Sequence, residues 1–184
     1  RKIYEIPRRL FNEWDTIKPE DIPFEEEVKE LESTSTDDDI SKYVERYLPE
    51  AGITKDKDKI KAKLVEFIKH QLGQVKDMNS FIDALKDINN DCKKTEHWIW
   101  YIIPSRTPNE GKFSNNNEKF CVNNPNYSPV MVSHYLSIPY LKTNYEKIIT
   151  AIYDCYQKTK DINKIMDMIF LMVINVNINN RFKI

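Results

Sequence analysis

The chain has 184 residues, a net charge of −1 and 31% charged side chains; it is long enough to bury a core without metal or disulfide, and its charge is too balanced in sign to draw nucleic acid. The three cysteines, Cys92, Cys121 and Cys155, are odd in number and widely spaced with no CxxC pair, which argues against a secreted disulfide framework and for a reducing, intracellular setting. The longest apolar run, Ile169 to Ile174, falls well short of the roughly 20 residues of a membrane span, and residues 1–30 lack the apolar stretch of a signal peptide.

Heavy use of Lys, Ile and Asn suits an AT-rich genome. Because the chain opens on Arg1 rather than Met, it reads as a trimmed or partial chain. Pro7 is placed to open a short helix carrying Leu10, Phe11 and Trp14, which Pro19 and Pro23 then break. The acidic run from Glu25 to Glu32 follows as a solvated short helix. Phe11 and Trp14 are poor residues for a disordered segment, so this arm is expected to dock.

Thr36 with Asp39 three residues on makes an N-cap, and Ile40, Tyr43, Val44, Tyr47 and Leu48 follow at helical spacing up to Pro49. A second helix is predicted from about Lys55 to Leu72, burying Ile60, Leu64, Phe67, Ile68 and Leu72, with Gly73 as its C′ residue. Its lysines form a solvated face, since signs alternate in KDKDK. A third helix, about Met78 to Asn90, carries Phe81, Leu85 and Ile88 on one side and is closed by an Asn-Asn pair. Glu96 to Ile103, aromatic on several sides, predicts a short and deeply buried helix ending at Pro104.

Between Pro104 and Pro129 the composition turns to Asn, Pro and Ser, which reads as a long loop. Helices are then expected at about Pro129–Ile138, Tyr140–Lys158 and Asp161–Val173. INVNINN alternates with period two and predicts a short terminal strand. The fold class is therefore all-α: an N-terminal arm and helical hairpin, residues 1–75, on a helical domain of residues 76–184. One mixed unit is the alternative.

Three glycines, Gly52, Gly73 and Gly111, leave no room for a P-loop or GxGxxG, so no cofactor is implied, and neither HExxH nor GxSxG occurs. Cys92, His97, Cys121 and His134 carry metal-binding groups, but their spacing matches no compact zinc pattern and no metal site is assigned. No residue is nominated as catalytic. The densest chemical signal is KKTEHWIWYIIP, Lys93 to Pro104. It reads either as a buried aromatic helix or as a pocket wall in which His97 supplies a hydrogen bond, Trp98 and Trp100 a stacking face, and Lys94 or Arg106 a charge for an anion.

Over about residues 80–156 the chain resembles the family of domain of unknown function 1810. The likeness rests on a basic residue and then His-Trp-x-Trp with an aromatic and apolar run to Pro, here Lys94, His97, Trp98, Trp100, Tyr101 and Pro104. It continues in a Tyr-Leu-x-x-Pro-x-Leu junction, here Tyr135, Leu136, Pro139 and Leu141. The chain departs from that pattern at Glu96, where Ser is usual, and at Ser105, where Gln is usual. The resemblance implies a compact helical domain, adds Tyr135 to the candidate binding residues, and assigns no activity. The leading expectation is a noncatalytic module that binds a protein partner through its N-terminal region. Its rival is an enzyme or sensor for a nucleotide-like small molecule in an aromatic pocket beside His97.

Overall fold

The computed structural model describes residues 31, 36–48, 57–103, 119–120 and 130–165. The expected arm, most of the loop between Pro104 and Pro129, Arg106, Cys121 and the terminal strand lie outside the described residues. Among the described residues 77% are helical and none is in a strand, so the all-α class stands. The helical segments are α1 Asp37–Tyr47, α2 Lys57–Gln71, α3 Phe81–Asp91, α4 Ile99–Ile102, α5 Val130–Ser137, α6 Pro139–Thr159 and α7 Ile162–Ile165.

The ends of these helices follow from local chemistry. Thr36 Oγ1 accepts the Asp39 amide at 3.1 Å while the Asp39 carboxylate reaches back to the Thr36 amide, closing a capping box on α1. α2 ends in a Schellman arrangement: the Gln74 amide donates to the Lys69 carbonyl and the Gly73 amide to the His70 carbonyl, each at 3.0 Å. Gly73 has φ +74°, and a Cβ there would lie 3.0 Å from Ser80 Cβ; both the left-handed backbone and the close neighbour call for glycine. α3 starts three residues later than its apolar pattern suggests, because Ser80 caps it with Asp83 in a second box. It ends at Cys92, in the left-handed region at φ 48°, rather than at the Asn-Asn pair.

α2 and α6 form the centre. α2 packs against α1, α3, α4 and α6, and α6 against α2, α3, α4, α5 and α7. Ile40, Tyr43, Val44, Ile60, Leu64, Phe67, Ile68, Ile88, Ile102, Tyr135, Ile148, Ile149 and Ile152 are buried in one continuous core, each large side chain contributing about 1.5–3 kcal/mol. That core runs across position 75: the rings of Phe67 and Tyr135 meet edge to face with centroids 5.1 Å apart. α1 also touches the start of α6 through polar groups. Pro139 takes the first helical position of α6, and the Tyr140 amide, one of the donors a helix N-terminus leaves unpaired, donates to Tyr43 Oη at 3.3 Å.

Candidate functional site

The segment between α3 and α4 carries the chemically dense motif, and a single carboxylate organises it. Asp87 sits in the last turns of α3, where the helix dipole disfavours an acid. It is compensated by donors converging from the next segment: the Thr95 amide at 2.8 Å, the Thr95 hydroxyl, the Trp98 indole N–H at 2.9 Å, and the Glu96 amide. Partial burial alone would raise the Asp87 carboxyl, but the hydrogen bonds from Thr95, Trp98 and Glu96 outweigh it and hold the group below the usual carboxylate range. The loop is fixed at its other side by the Lys94 amide, which donates to the Ile165 carbonyl in α7 at 2.6 Å.

This arrangement sorts the predicted site residues. Trp98 is fully buried with its N–H used by Asp87. Lys94 is buried as well, its ammonium 5.9 Å from the Trp98 ring centroid, at the limit of a cation–π contact. Trp100 is partly buried against the core. His97 is exposed, as are its neighbours Lys93, Thr95 and Glu96. The short helix does not begin at Glu96: residues 94–98 are drawn into the Asp87 loop, and α4 spans only Ile99–Ile102. Arg106 lies outside the described residues.

Tyr135 belongs to a different cluster. Gln71, the last residue of α2, donates through Nε2 to the Tyr101 carbonyl at 2.7 Å and to Tyr135 Oη at 3.1 Å, and its Oε1 accepts from Asn144 Nδ2 at 3.0 Å. Tyr135 Oη in turn donates to the Ile102 carbonyl at 3.5 Å. α4 is too short to satisfy its own carbonyls, and Gln71 and Tyr135 cap them from outside. All three side chains are buried, and burial pushes the Tyr135 hydroxyl well above its ordinary range. Burial likewise raises the Tyr101 hydroxyl to about 12, while the group donates to the Asn79 carbonyl at 2.8 Å.

Sequence reasoning missed Gln71 and Asp87. Gln71 is detectable in principle: it falls seven residues after Leu64 and four after Phe67, a polar residue in core register. Asp87 carries no such signal, because its partners lie 8 to 11 residues away in a non-helical segment.

Two histidines are buried in the same body. His70 Nδ1 lies 2.8 Å from the Glu66 carbonyl oxygen, and its ring packs edge-on against Phe120 with centroids 4.8 Å apart. Lys119 pairs with Glu66 beside it at 2.5 Å. His134 Nε2 is buried and has no hydrogen-bond partner among the described residues. Desolvation depresses both imidazoles, so each favours its neutral form. Among the described residues no group of three His, Cys, Asp or Glu side chains is placed to hold a metal.

The cysteines correct the sequence reading. Cys92 and Cys155 form a disulfide, with Cα atoms 5.3 Å apart, between the C-cap of α3 and the inner face of α6. An odd cysteine count conceals one pair as readily as it suggests none. Among the described residues no helix is long and apolar enough to cross a membrane. Comparison of the chain with protein-family models, with curated proteins and with solved structures found no match.

Proposed function

We propose that the chain is an intracellular, noncatalytic protein-interaction module whose recognition surface is the loop from Lys93 to His97. The observation that carries this reading is the split between fixed and displayed groups in that loop. Asp87 holds the backbone and hydroxyl of Thr95, the Glu96 amide and the Trp98 indole, while Lys93, Glu96 and His97 are exposed. A loop fixed before binding loses little conformational entropy when a partner docks, so a few exposed polar groups suffice for specificity. The apolar stripes of α1 and α2 are taken up by the core, so a partner meeting the N-terminal hairpin would read its charged outer face, including Asp38, Lys42 and Glu45. The likeness to domain of unknown function 1810 is part of the same proposal. Its support is the order of two motifs, Lys94 to Pro104 and Tyr135 to Leu141.

A photo-crosslinking residue at position 97 tests the reading against a control at position 150, exposed on α6. The expected result in an extract of the source cells is a discrete protein adduct from position 97 and none from position 150. Adducts of equal pattern from both positions would overturn the assignment of the loop. In parallel, a thermal-shift panel of free nucleotides should leave the melting temperature unmoved. A nucleotide-dependent rise that His97→Ala removes would replace this reading with a small-molecule site beside His97.

A further inference from the structure

The disulfide stands directly beside the recognition loop. Cys92 is the residue between the end of α3 and Lys93, and its partner Cys155 is anchored in α6. The two residues differ in environment: Cys92 is partly buried, whereas Cys155 is fully buried. Cys92 also holds a left-handed backbone at φ 48° and ψ 35°, a region that side chains with a Cβ disfavour. Two things hold it there, the bond to Cys155 and the Cys92 amide donating to the Ile88 carbonyl at 2.9 Å. Cys155 Sγ lies 3.4 Å from that same Ile88 carbonyl oxygen. When the bond is reduced, the buried thiol therefore has an acceptor already in place, and no buried donor is orphaned.

α3 and α6 also pack through apolar side chains, apart from the sulfur bond. Phe81, Ala84 and Ile88 of α3 and Ile148, Ile149 and Ile152 of α6 belong to the shared core, and the two helices contact each other directly. Opening the bond thus removes one of the two restraints on residue 92, from which the loop departs, and leaves the Ile88 hydrogen bond as the other. Disulfides in reducing compartments are characteristically transient and sensing rather than permanent.

We propose that Cys92–Cys155 is a redox-operated clasp that sets the order of the Lys93–His97 loop. Its regulatory meaning rests on the reading of that loop as a recognition surface. The reductant is a low-molecular-weight thiol. Its thiolate attacks the sulfur of Cys92, the less buried of the two residues, the S–S bond breaks, and Cys155 leaves as a thiolate and takes a proton. A second thiol resolves the mixed disulfide on Cys92, releasing the Cys92 thiol and the oxidised reductant. Two electrons and two protons pass to the protein.

The test uses the full chain in buffers of oxidised or reduced glutathione, with peptide mass mapping under non-reducing conditions and amide hydrogen exchange. In the oxidised buffer a linked peptide containing Cys92 and Cys155 is expected. In the reduced buffer that peptide disappears, the far-ultraviolet spectrum stays helical, and the amides of Lys94, Thr95 and Glu96 exchange faster by about tenfold while those inside α3 and α6 hold. The Cys92→Ser/Cys155→Ser variant should show the faster loop in both buffers. Absence of the linked peptide, unchanged loop exchange on reduction, or unfolding of α3 and α6 together with the loop would each overturn the clasp. Exchange is read with no partner present, so this outcome is separate from the crosslinking at position 97.

Discussion

Replacing Gln71 with Met isolates the polar content of the core. The two side chains are similar in volume, so the cavity left behind is small and the change removes mainly hydrogen bonds. Gln71 supplies the donor to the Tyr101 carbonyl and the acceptor for Asn144 Nδ2, and both of these groups would be stranded in a dry interior. Tyr135 Oη keeps the Ile102 carbonyl as its acceptor and is not stranded. A buried polar group left unpaired costs about 1–3 kcal/mol, so two cost about 2–6 kcal/mol. Equilibrium urea unfolding measures this directly. A second expectation sharpens the first: Asn144→Leu in the Gln71→Met background should cost about 1 kcal/mol less than in the parent, because its partner is already gone. A loss under about 0.5 kcal/mol for Gln71→Met, the size of an ordinary surface change, or strict additivity of the pair, would refute the hub.

Further expectations rest on other parts of the fold. Trp98→Ala should cost about 3–5 kcal/mol through lost burial and a cavity, whereas exposed His97→Ala should stay within about 0.5 kcal/mol; the same urea melts check both. Gly73→Ala should destabilise by about 1–2 kcal/mol from its left-handed backbone alone, with more from the Ser80 contact, and a neutral result by differential scanning calorimetry would remove the Schellman cap from the account. Burial holds His70 and His134 below the ordinary histidine value. At about pH 8 both states are neutral and indifferent to these groups. As pH falls through about 6.5 the unfolded chain takes up protons that the folded one refuses, so the urea midpoint should drop until the folded values are reached. His134→Phe should flatten that slope, and a midpoint unchanged to about pH 5 would show that neither imidazole is desolvated as described.

Much of the helical framework was legible because its determinants are local. Thr36 and Asp39 announce a cap within four residues, Gly73 announces a stop, and the stripe from Ile60 to Phe67 repeats at the period of the helix it forms. Ser80 and Asp83 carry the same capping signature, yet the apolar Met78 just upstream drew the predicted start outward. The site was less legible, because its decisive contacts join segments far apart in sequence. His97 and Trp98 are neighbours in the chain and part company in space: the indole turns inward to Asp87 while the imidazole stays in solvent. No periodicity separates a paired cysteine from a merely buried one, since Cys155 sits on the apolar face of α6 in either case.

The hydrogen bond from the Tyr140 amide to Tyr43 also bears on how the chain emerges during synthesis. The two residues are 97 positions apart, and Tyr43, Phe67 and Gln71 face partners that all come later: Tyr101, Tyr135, Tyr140 and Asn144. At about 5–20 residues per second, a translating ribosome takes about 5–20 s to cover that interval. Once the α1–α2 hairpin has left the exit tunnel, it waits out the remainder of that time with Phe67 and Gln71 short of these later partners. The nascent chain is therefore most exposed to holdase chaperones before α6 is made, and slowing translation ahead of residue 135 should lengthen that exposure without changing a single contact of the finished fold.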